Sequence, residues 1–325
     1  MIMTRTPLRI TFVGGGTDMS SYYKTNGPGA VVNAAIDKYI YITVNKKFDD
    51  AIRVSYSKTE IVDTVDKIQH PSIREALRLL KIDKGIEIVS ISDIPSGGTG
   101  LGSSSSFLVG LLNALHAWNG ELASPKQLAE EAVQIERNVL KEAGGKQDEY
   151  IAAYGGLQFM EFNKDESVVV KHVIMGEDTR RQLKAHLQLF YTGKQRSGAE
   201  VLKDQSSKAA DHTSAYNAMR DMSYKLYDDL SKGKWQGTGK MLQENWMLKK
   251  SLSSKITDNY LDRLYEKALD AGAQGGKVVG AGGGGFLLLF VPPEKRDAVR
   301  KALPELREEE FEFESLGSRI IYVGD

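Results

Sequence analysis

The sequence predicts an α+β fold, and three observations support this prediction. Helical and strand-like patterns both occur, yet they do not alternate in the regular order that builds a doubly wound parallel sheet. No repeat of fixed period and no low-complexity tract is visible, which disfavours solenoids and linker-rich proteins. The 325 residues exceed the usual size of a single core, so one large domain or two fused lobes are expected.

The first half of the chain combines strands with long helices. Three segments alternate or are rich in aromatic and β-branched residues, and each predicts a strand: 8–13, 39–44 and 86–94. A helix is predicted at 103–118, where four leucines share one face. A second helix is predicted at 125–142, with Ser124 as its N-cap and Pro125 at its first position.

The second half changes character after two further strands. Strand patterns occur in five segments: 157–162, 168–174, 276–291 with its four-glycine loop, 311–314 and 319–323. Between about 198 and 272 the chain is polar and helical, with few strand signals. We place a lobe boundary within 176–184, which divides the chain into an N-terminal lobe, 1–180, and a C-terminal lobe, 181–325.

The composition favours a small-molecule substrate. Lys plus Arg and Asp plus Glu both number 43, so no net field attracts nucleic acid or an anionic membrane. With no cysteine, disulfides and thiolate nucleophiles are excluded, and the five histidines never pair at metal-ligand spacing. No secretory signal or apolar run of membrane-spanning length is found, which predicts a cytoplasmic protein. A homodimer is left open.

A glycine- and serine-rich segment at 95–106 predicts a phosphate-binding loop. It lies between a predicted strand and a predicted helix, a context that a flexible linker would not normally have. Glycine allows successive N–H groups to converge on an anion, and the helix that follows adds its positive N-terminal end. The predicted nucleotide-binding residues are Gly97, Gly98, Gly100, Gly102, Ser103, Ser104 and Ser105. One of the hydroxyls can also ligate Mg²⁺.

Other nucleotide-binding motifs do not fit. No Gly-Lys pair is followed by Ser or Thr, which excludes a Walker A loop, and the protein-kinase motifs are missing. The glycines at 14–16 lack the third glycine of a dinucleotide-binding turn, which disfavours an oxidoreductase.

Three segments, in order along the chain, resemble the superfamily of galactokinase, homoserine kinase, mevalonate kinase and phosphomevalonate kinase (GHMP kinases). They are 7–18, which ends in Gly-Gly-Gly-Thr-Asp, the phosphate loop at 95–106, and 280–286. The resemblance implies a two-lobed fold with ATP bound at the phosphate loop between the lobes. It also implies phosphoryl transfer to a hydroxyl of a small molecule. The glycines of the third segment predict either a tight hairpin or direct contact with the site.

The resemblance also implies roles for single residues. Asp148 matches the aspartate that orients or deprotonates the acceptor hydroxyl, and Arg9 matches an arginine near the reacting centre. Glu136 and Ser104 match the pair that holds Mg²⁺, and Asp18 matches a ligand of a sugar hydroxyl. These parts meet the needs of phosphoryl transfer, which depends on positioning and charge neutralisation more than on covalent chemistry.

The expected acceptor class follows from a departure from the galactokinase pattern. Gly15 and Gly16 stand where galactokinases carry Glu-His, which makes galactose doubtful and leaves room for a longer sugar. The segments resemble most the D-glycero-D-manno-heptose 7-phosphate kinases, which implies phosphorylation at C1. L-Fucokinase domains share related segments, and a catalytically silent sugar and ATP sensor is a further alternative. Lys194 and Arg196 are predicted to hold the distal phosphate, since they lie where a strand enters a helix.

Overall fold

The computed structural model describes residues 1–95, 97–195 and 198–324. In chain order, the strands are β1 (Ile2–Val13), β2 (Gly29–Lys46), β3 (Ile52–Ser55), β4 (Thr59–Val62), β5 (Ile86–Ser92), β6 (Leu157–Phe162), β7 (Val168–His172), β8 (Leu187–Tyr191), β9 (Gly275–Val278), β10 (Phe286–Phe290), β11 (Arg307–Glu308) and β12 (Arg319–Val323). The α-helices are α1 (Ser20–Asn26), α2 (Pro71–Leu79), α3 (Ser103–Trp118), α4 (Pro125–Val133), α5 (Gln147–Tyr154), α6 (Glu177–Ala185), α7 (Gly198–Ser207), α8 (Thr213–Ser231), α9 (Thr238–Ser251), α10 (Asn259–Asp270) and α11 (Arg296–Ala302). This mixture confirms the predicted α+β class.

Two sheets organise the fold. The larger one has the order β12-β1-β2-β5-β3-β4, and β6 and β7 extend it from the N-terminal half of β2. Its pairs are antiparallel except for β3 with β5. The smaller sheet has the order β11-β8-β10-β9 and is antiparallel throughout.

Helix α3 packs against the larger sheet. It packs against β1 and β2 and also contacts α2, α4 and α5. The sequence predicts its bounds and its leucine face, but the helix is buried on nearly all sides, including Val109, Ala114 and His116. Its N-terminus, where the phosphate loop ends, is therefore held against β1, and the Arg9 N–H donates to the Leu101 carbonyl at 3.0 Å.

The helix predicted at 125–142 changes geometry halfway. Ser124 caps α4 as predicted, because its hydroxyl accepts a hydrogen bond from the Gln127 N–H at 3.2 Å. After Val133 the chain continues as a π-helix, Gln134–Val139, which carries Glu136. A π-helical turn is rare and is often found at a functional site.

The C-terminal segment returns to the larger sheet. The predicted strand at 319–323 forms and pairs with β1. The strand predicted at 311–314 is wrong: Phe313 makes only an isolated bridge to Ile36. The segment can reach β2 only in the gap between two other strands, because β6 pairs with β2 up to Ala34 and β5 pairs with it from Ile40 onward. Across the described ranges, no helix has the length and apolar character needed to cross a bilayer.

Candidate active site

A cavity of about 490 Å³ opens where five segments meet. Most of its wall comes from the turn after β1, the phosphate loop, the loop before α5, the start of α7, and the glycine loop between β9 and β10. All seven residues predicted to bind nucleotide line this cavity, as do Arg9, Asp148, Asp18, Gly15 and Gly16. The structure therefore brings most of the predicted site together from segments far apart in the chain.

The phosphate loop ends as a helix N-terminus that faces this cavity. Gly102 precedes α3 in the left-handed conformation, with φ of 78°, which glycine adopts at little cost. Ser103, Ser104 and Ser105 form the first turn of α3, where backbone N–H groups have no partner within the helix. An anion placed there meets both these donors and the positive end of the helix dipole.

The third glycine-rich segment packs directly on the phosphate loop. A Cβ atom added to Gly280 would lie 2.6 Å from the Gly100 Cα, and one on Gly285 would lie 2.2 Å from the Thr99 carbonyl oxygen. Side chains are therefore excluded from this contact by steric clash. Of the two alternatives that the sequence left open for these glycines, the structure supports direct contact with the loop.

Arg9 and Asp148 form a two-pronged ion pair beside the loop. Nε of Arg9 donates to Oδ1 of Asp148 at 2.7 Å, and Nη2 donates to Oδ2 at 2.5 Å. The third arm, Nη1, donates to the Gly100 carbonyl. Arg9 is thereby fixed between the proposed base and the phosphate loop, where its charge can act on both.

Asp18 is held in the cavity wall by backbone donors. Its Oδ1 accepts from the Gly16 N–H at 2.8 Å, and its Oδ2 accepts from the Gln147 N–H at 3.2 Å. Gly145 makes this approach feasible, because a Cβ atom there would lie 1.8 Å from Oδ2 of Asp18. The turn after β1 and the loop that carries Asp148 are thus locked together through Asp18.

Glu136 lies behind the first turn of α3 in a buried carboxylate pair. Ser105, rather than Ser104, donates its hydroxyl to Oε2 of Glu136, at 2.9 Å. Arg137 donates from Nη2 to Glu136 at 3.0 Å and from Nε to Glu149 at 3.1 Å. Burial, with the nearby Glu149 carboxylate, raises the pKa of Glu136 well above its usual value.

The cluster contains oxygen groups of the kind that bind a hard cation, but Glu136 does not line the cavity, and the described residues contain no group of three or more carboxylates or histidines placed to hold a metal. Two buried carboxylates share one guanidinium, and Oε2 of Glu149 has no hydrogen-bond partner within the described part of the chain. Carboxylate and hydroxyl oxygens are the ligands that Mg²⁺ prefers. Ser104 is exposed to the cavity, so its hydroxyl would face such an ion while Ser105 orients Glu136.

Two lysines in the cavity wall are absent from the predicted site. Lys249 on α9 donates from Nζ to the Gly15 carbonyl and to Oε1 of Gln205, both at 2.9 Å. Lys277 on β9 donates to the Phe12 carbonyl at 3.2 Å. Each left a signal in the sequence: Lys277 interrupts an apolar strand, and Lys249 follows Leu242 and Trp246 on the buried face of its helix.

One of the two residues predicted to anchor a distal phosphate lies away from the cavity. Lys194 forms an ion pair with Asp258, the N-cap of α10, and it does not line the cavity. Its neighbours explain this, since its carbonyl accepts from the Gly285 N–H at 2.7 Å and holds the chain beside the β9–β10 loop. Arg196, the other predicted anchor, lies outside the described residues.

A second cavity of about 500 Å³ adjoins the first at Ser103 and Ser104, which line both. Its wall carries three rings in contact: Tyr56 with His70 at 4.7 Å between centroids, and His70 with Phe107 at 5.1 Å. Burial lowers the pKa of His70, which favours the neutral imidazole. The phosphate loop thus lies at the junction of two cavities, the second of which carries this aromatic cluster among serine side chains.

Two family models match the chain. The model for the N-terminal domain of GHMP kinases matches residues 64–156, and the model for their C-terminal domain matches residues 226–308. The first match includes the phosphate loop, Glu136 and Asp148, and the second includes Lys249, Lys277 and the third glycine segment.

Individual relatives agree with these matches. A D-glycero-alpha-D-manno-heptose 7-phosphate kinase from Campylobacter jejuni is 32% identical, over 93% of each chain. The L-fucokinase/L-fucose-1-P guanylyltransferase of Bacteroides fragilis is 24% identical, over 94% of this chain and 36% of its own length. A crystal structure of a D-glycero-D-manno-heptose 1-phosphate kinase from Bacteroides thetaiotaomicron superposes with a TM-score of 0.83 at 25% identity, over the whole of both chains. A sugar kinase structure from Campylobacter jejuni gives 0.78 at 30% identity, over 98% of this chain and 97% of its own.

Proposed function

The chain belongs to the GHMP kinase family, and we propose that it transfers the γ-phosphoryl group of ATP to the C1 hydroxyl of D-glycero-D-manno-heptose 7-phosphate. That it is an ATP-dependent sugar kinase follows from the family and its heptose kinase relatives. The observation that supports the transfer most directly is the Arg9–Asp148 pair, which shares one cavity with the whole predicted phosphate loop. We also propose the cytoplasm as its compartment.

The donor would span both cavities. Its β- and γ-phosphates would bind at the N-terminus of α3, where unpaired N–H groups and the serine hydroxyls converge. Because Ser103 and Ser104 line both cavities, a nucleotide held there would direct its adenosine into the second one. Tyr56, neutral His70 and Phe107 offer that ring an apolar, aromatic surface.

Mg²⁺ would neutralise charge on the β- and γ-phosphates when bound. Ser104 and Glu136 are the residues proposed to hold it, with Ser105 and Arg137 orienting the Glu136 carboxylate. The surplus of buried carboxylate over guanidinium in this cluster supports the assignment.

Asp148 would accept the proton of the acceptor hydroxyl. As the C1 oxygen forms its bond to the γ-phosphorus, the bond from that phosphorus to the bridging oxygen breaks and ADP leaves. Arg9 holds Asp148 with two arms and reaches the phosphate loop with the third, so it can stabilise charge that develops between them. Asp18, aligned by backbone donors, would accept a hydrogen bond from a sugar hydroxyl.

The choice of acceptor depends on the turn after β1 and on the relatives. Gly15 and Gly16 line the cavity without side chains, which leaves space for a seven-carbon sugar. The 32% identity to a heptose 7-phosphate kinase favours this acceptor over L-fucose, since the fucokinase relative is 24% identical. Retention of Asp148, Arg9, Glu136 and Ser104 disfavours the alternative of a silent sensor.

An ADP-release assay over a panel of acceptors tests the proposal. D-glycero-D-manno-heptose 7-phosphate, the unphosphorylated heptose, L-fucose and galactose are each supplied with Mg·ATP, and Asp148→Asn controls for background hydrolysis. We expect the highest kcat/KM for the heptose 7-phosphate, with the new phosphate at C1 by phosphorus NMR. A far better rate with L-fucose would reject the heptose assignment, and no acceptor-dependent release at all would favour the sensor.

A further inference from the structure

Two buried ammonium groups face the active-site cavity without a carboxylate partner. Lys249 is 4% exposed and Lys277 is 2% exposed, and both line the cavity. Their hydrogen bonds go to neutral acceptors: the Gly15 carbonyl and Gln205 for Lys249, and the Phe12 carbonyl for Lys277. In the described part of the chain, neither ammonium forms an ion pair within 4 Å, whereas other partly buried lysines such as Lys250 do.

This arrangement is electrostatically unfavourable, because removing a charge from water without a counter-charge carries a large desolvation penalty. Burial accordingly lowers the pKa of Lys249 to about 8 and that of Lys277 to about 7. Lys249 and Arg9 oppose the charge on Lys277, and Asp18 is the group that favours the charged form of both lysines. Two buried lysines without counter-charges, with lowered pKa values and in the wall of a cavity, indicate a binding site for an anion.

We propose that Lys249, with Lys277 as a second charge, binds the non-reacting phosphate of a sugar phosphate acceptor. The inference rests on the proposed function, since it names the group that would distinguish a phosphorylated acceptor from a free sugar. A phosphate dianion would supply the missing counter-charge. It could also accept a hydrogen bond from the third N–H of the Lys249 ammonium, whose other two N–H groups already donate to Gly15 and Gln205.

The contacts of Lys249 place it on the acceptor side of the cavity. Its ammonium lies against the turn after β1: it bonds Gly15, and a Cβ atom on Gly16 would lie 3.2 Å from Nζ. Gly16 also donates to Asp18, the proposed ligand of a sugar hydroxyl. None of these contacts involves the phosphate loop. Lys249 therefore replaces Lys194, which is engaged with Asp258 away from the cavity, as the anchor for a distal phosphate.

Two variants remove the unpaired positive charge in different ways. Lys249→Met deletes the ammonium. Gln205→Glu keeps it but places a carboxylate at the present Gln205 Oε1 position, 2.9 Å from Nζ, so that the charge is satisfied internally. The second change is nearly isosteric and loses only the hydrogen bond from Gln205 to the Ala281 carbonyl. Lys250→Met is the matched control, because Lys250 is the next residue on α9 and pairs with Asp262 instead.

The kinetic readout is the preference of the enzyme for the phosphorylated acceptor. We expect the ratio of kcat/KM for heptose 7-phosphate to that for free heptose to fall at least tenfold in Lys249→Met and Gln205→Glu. KM for ATP should stay within about twofold, and Lys250→Met should retain the wild-type ratio. Equal losses with both acceptors would overturn the proposal, and so would a selective rise in KM for ATP, which would assign the lysine to the donor phosphates.

A binding measurement keeps this test independent of the acceptor's identity. Inorganic phosphate is titrated calorimetrically into protein saturated with a non-hydrolysable ATP analogue and Mg²⁺, so that the phosphate loop is occupied. Wild type and Lys250→Met should bind phosphate, and the two site variants should bind it at least tenfold more weakly. If heptose 7-phosphate is not the acceptor but this pattern holds, the proposed function fails and the phosphate site stands. Equal binding by all four proteins, or none by wild type, overturns the site.

Discussion

Arg9 and Asp148, which lie 139 residues apart in the chain, meet in a two-pronged ion pair at the edge of the phosphate loop. Arg9 is only 5% exposed, so its guanidinium is shielded from solvent. The Asp148 side chain is 23% exposed and lines the cavity. A carboxylate held in this way has its direction fixed before the acceptor arrives. The pair thus combines a positioned proton acceptor with a positive charge beside the donor phosphates.

Asp148→Asn should lower kcat by about 10²–10⁴-fold, the usual contribution of a general base. The amide is close in size but cannot take the hydroxyl proton, and it offers Arg9 one acceptor oxygen instead of two. Binding of a fluorescent ATP analogue should be unchanged, which separates a chemical defect from misfolding. A variant that turns over within twofold of wild type would limit Asp148 to a structural role.

Arg9→Lys should reduce kcat by about 10–10²-fold although the charge is retained. A lysine ammonium cannot reproduce the planar fork that contacts both Asp148 oxygens and the Gly100 carbonyl. Loss of one charge-assisted hydrogen bond costs about 1.5–3 kcal/mol. Steady-state kinetics with both substrates varied provides the measurement. If Arg9→Lys has wild-type kcat, a point charge is sufficient and the fork geometry has no role.

Glu136→Gln should raise the Mg²⁺ concentration needed for half-maximal rate, with part of the activity restored at high Mg²⁺. Ser105→Ala should act in the same direction but less strongly, by about fivefold, because it removes one hydrogen bond to Glu136 of about 1 kcal/mol. Mg²⁺ titrations of the ADP-release rate compare the two variants. An unchanged Mg²⁺ requirement in Glu136→Gln would remove this residue from the metal site.

The phosphate loop could be predicted from sequence because its parts are consecutive in the chain. Its glycines and the N-terminus of α3 lie within a few residues, and the strand before them is marked by alternation. The helix bounds of α3 follow from the same local pattern. The role of Ser105 was not accessible in this way, since its hydrogen bond to Glu136 depends on the π-helical turn that brings the carboxylate under α3.

The cationic part of the site depends on contacts between distant segments. Lys249 reaches Gly15 across 234 residues of sequence, and Lys277 reaches Phe12 across 265. A lysine on a helix is ordinarily solvated, so the sequence alone favours the solvent-exposed interpretation. Lys194 shows the converse case: its position after a strand suggested a phosphate ligand, but Asp258 from α10 occupies its ammonium.

The two buried lysines predict an unusual pH dependence of stability. Their folded pKa values, about 8 and about 7, lie below the value near 10.4 of an unfolded lysine. Between about pH 7 and 10 the unfolded chain therefore binds more protons, and the free energy of unfolding contributed by these groups rises with pH. Asp18 favours the charged form of both lysines, whereas Arg9 and Lys249 disfavour the charged form of Lys277.

Thermal unfolding from pH 7 to 9.5 checks this expectation. The Tm of wild type relative to Lys277→Met should increase over that range, and Lys249→Met should give a similar trend beginning about one pH unit higher. Lys250→Met should run parallel to wild type, because its ammonium is ion-paired with Asp262 at 2.6 Å. Comparison between variants cancels the contributions of the titratable groups that all four proteins share. Parallel curves for all four would show that neither buried lysine loses its proton in this range.

Gly145→Ala should impair the acceptor side of the reaction with little effect on ATP. The added Cβ would meet Oδ2 of Asp18 at 1.8 Å, so either Asp18 must leave its backbone donors or the loop that carries Asp148 must move. A displacement of about 1 Å at a reacting group can cost about 10²-fold in rate. We therefore expect kcat/KM for the acceptor to fall by that order, while KM for ATP stays within about threefold. Gly176→Ala is the control, since nothing lies within 4 Å of its added Cβ and its φ of −61° suits alanine. If Gly145→Ala matches that control, the contact between Asp18 and the Asp148 loop does not position the acceptor.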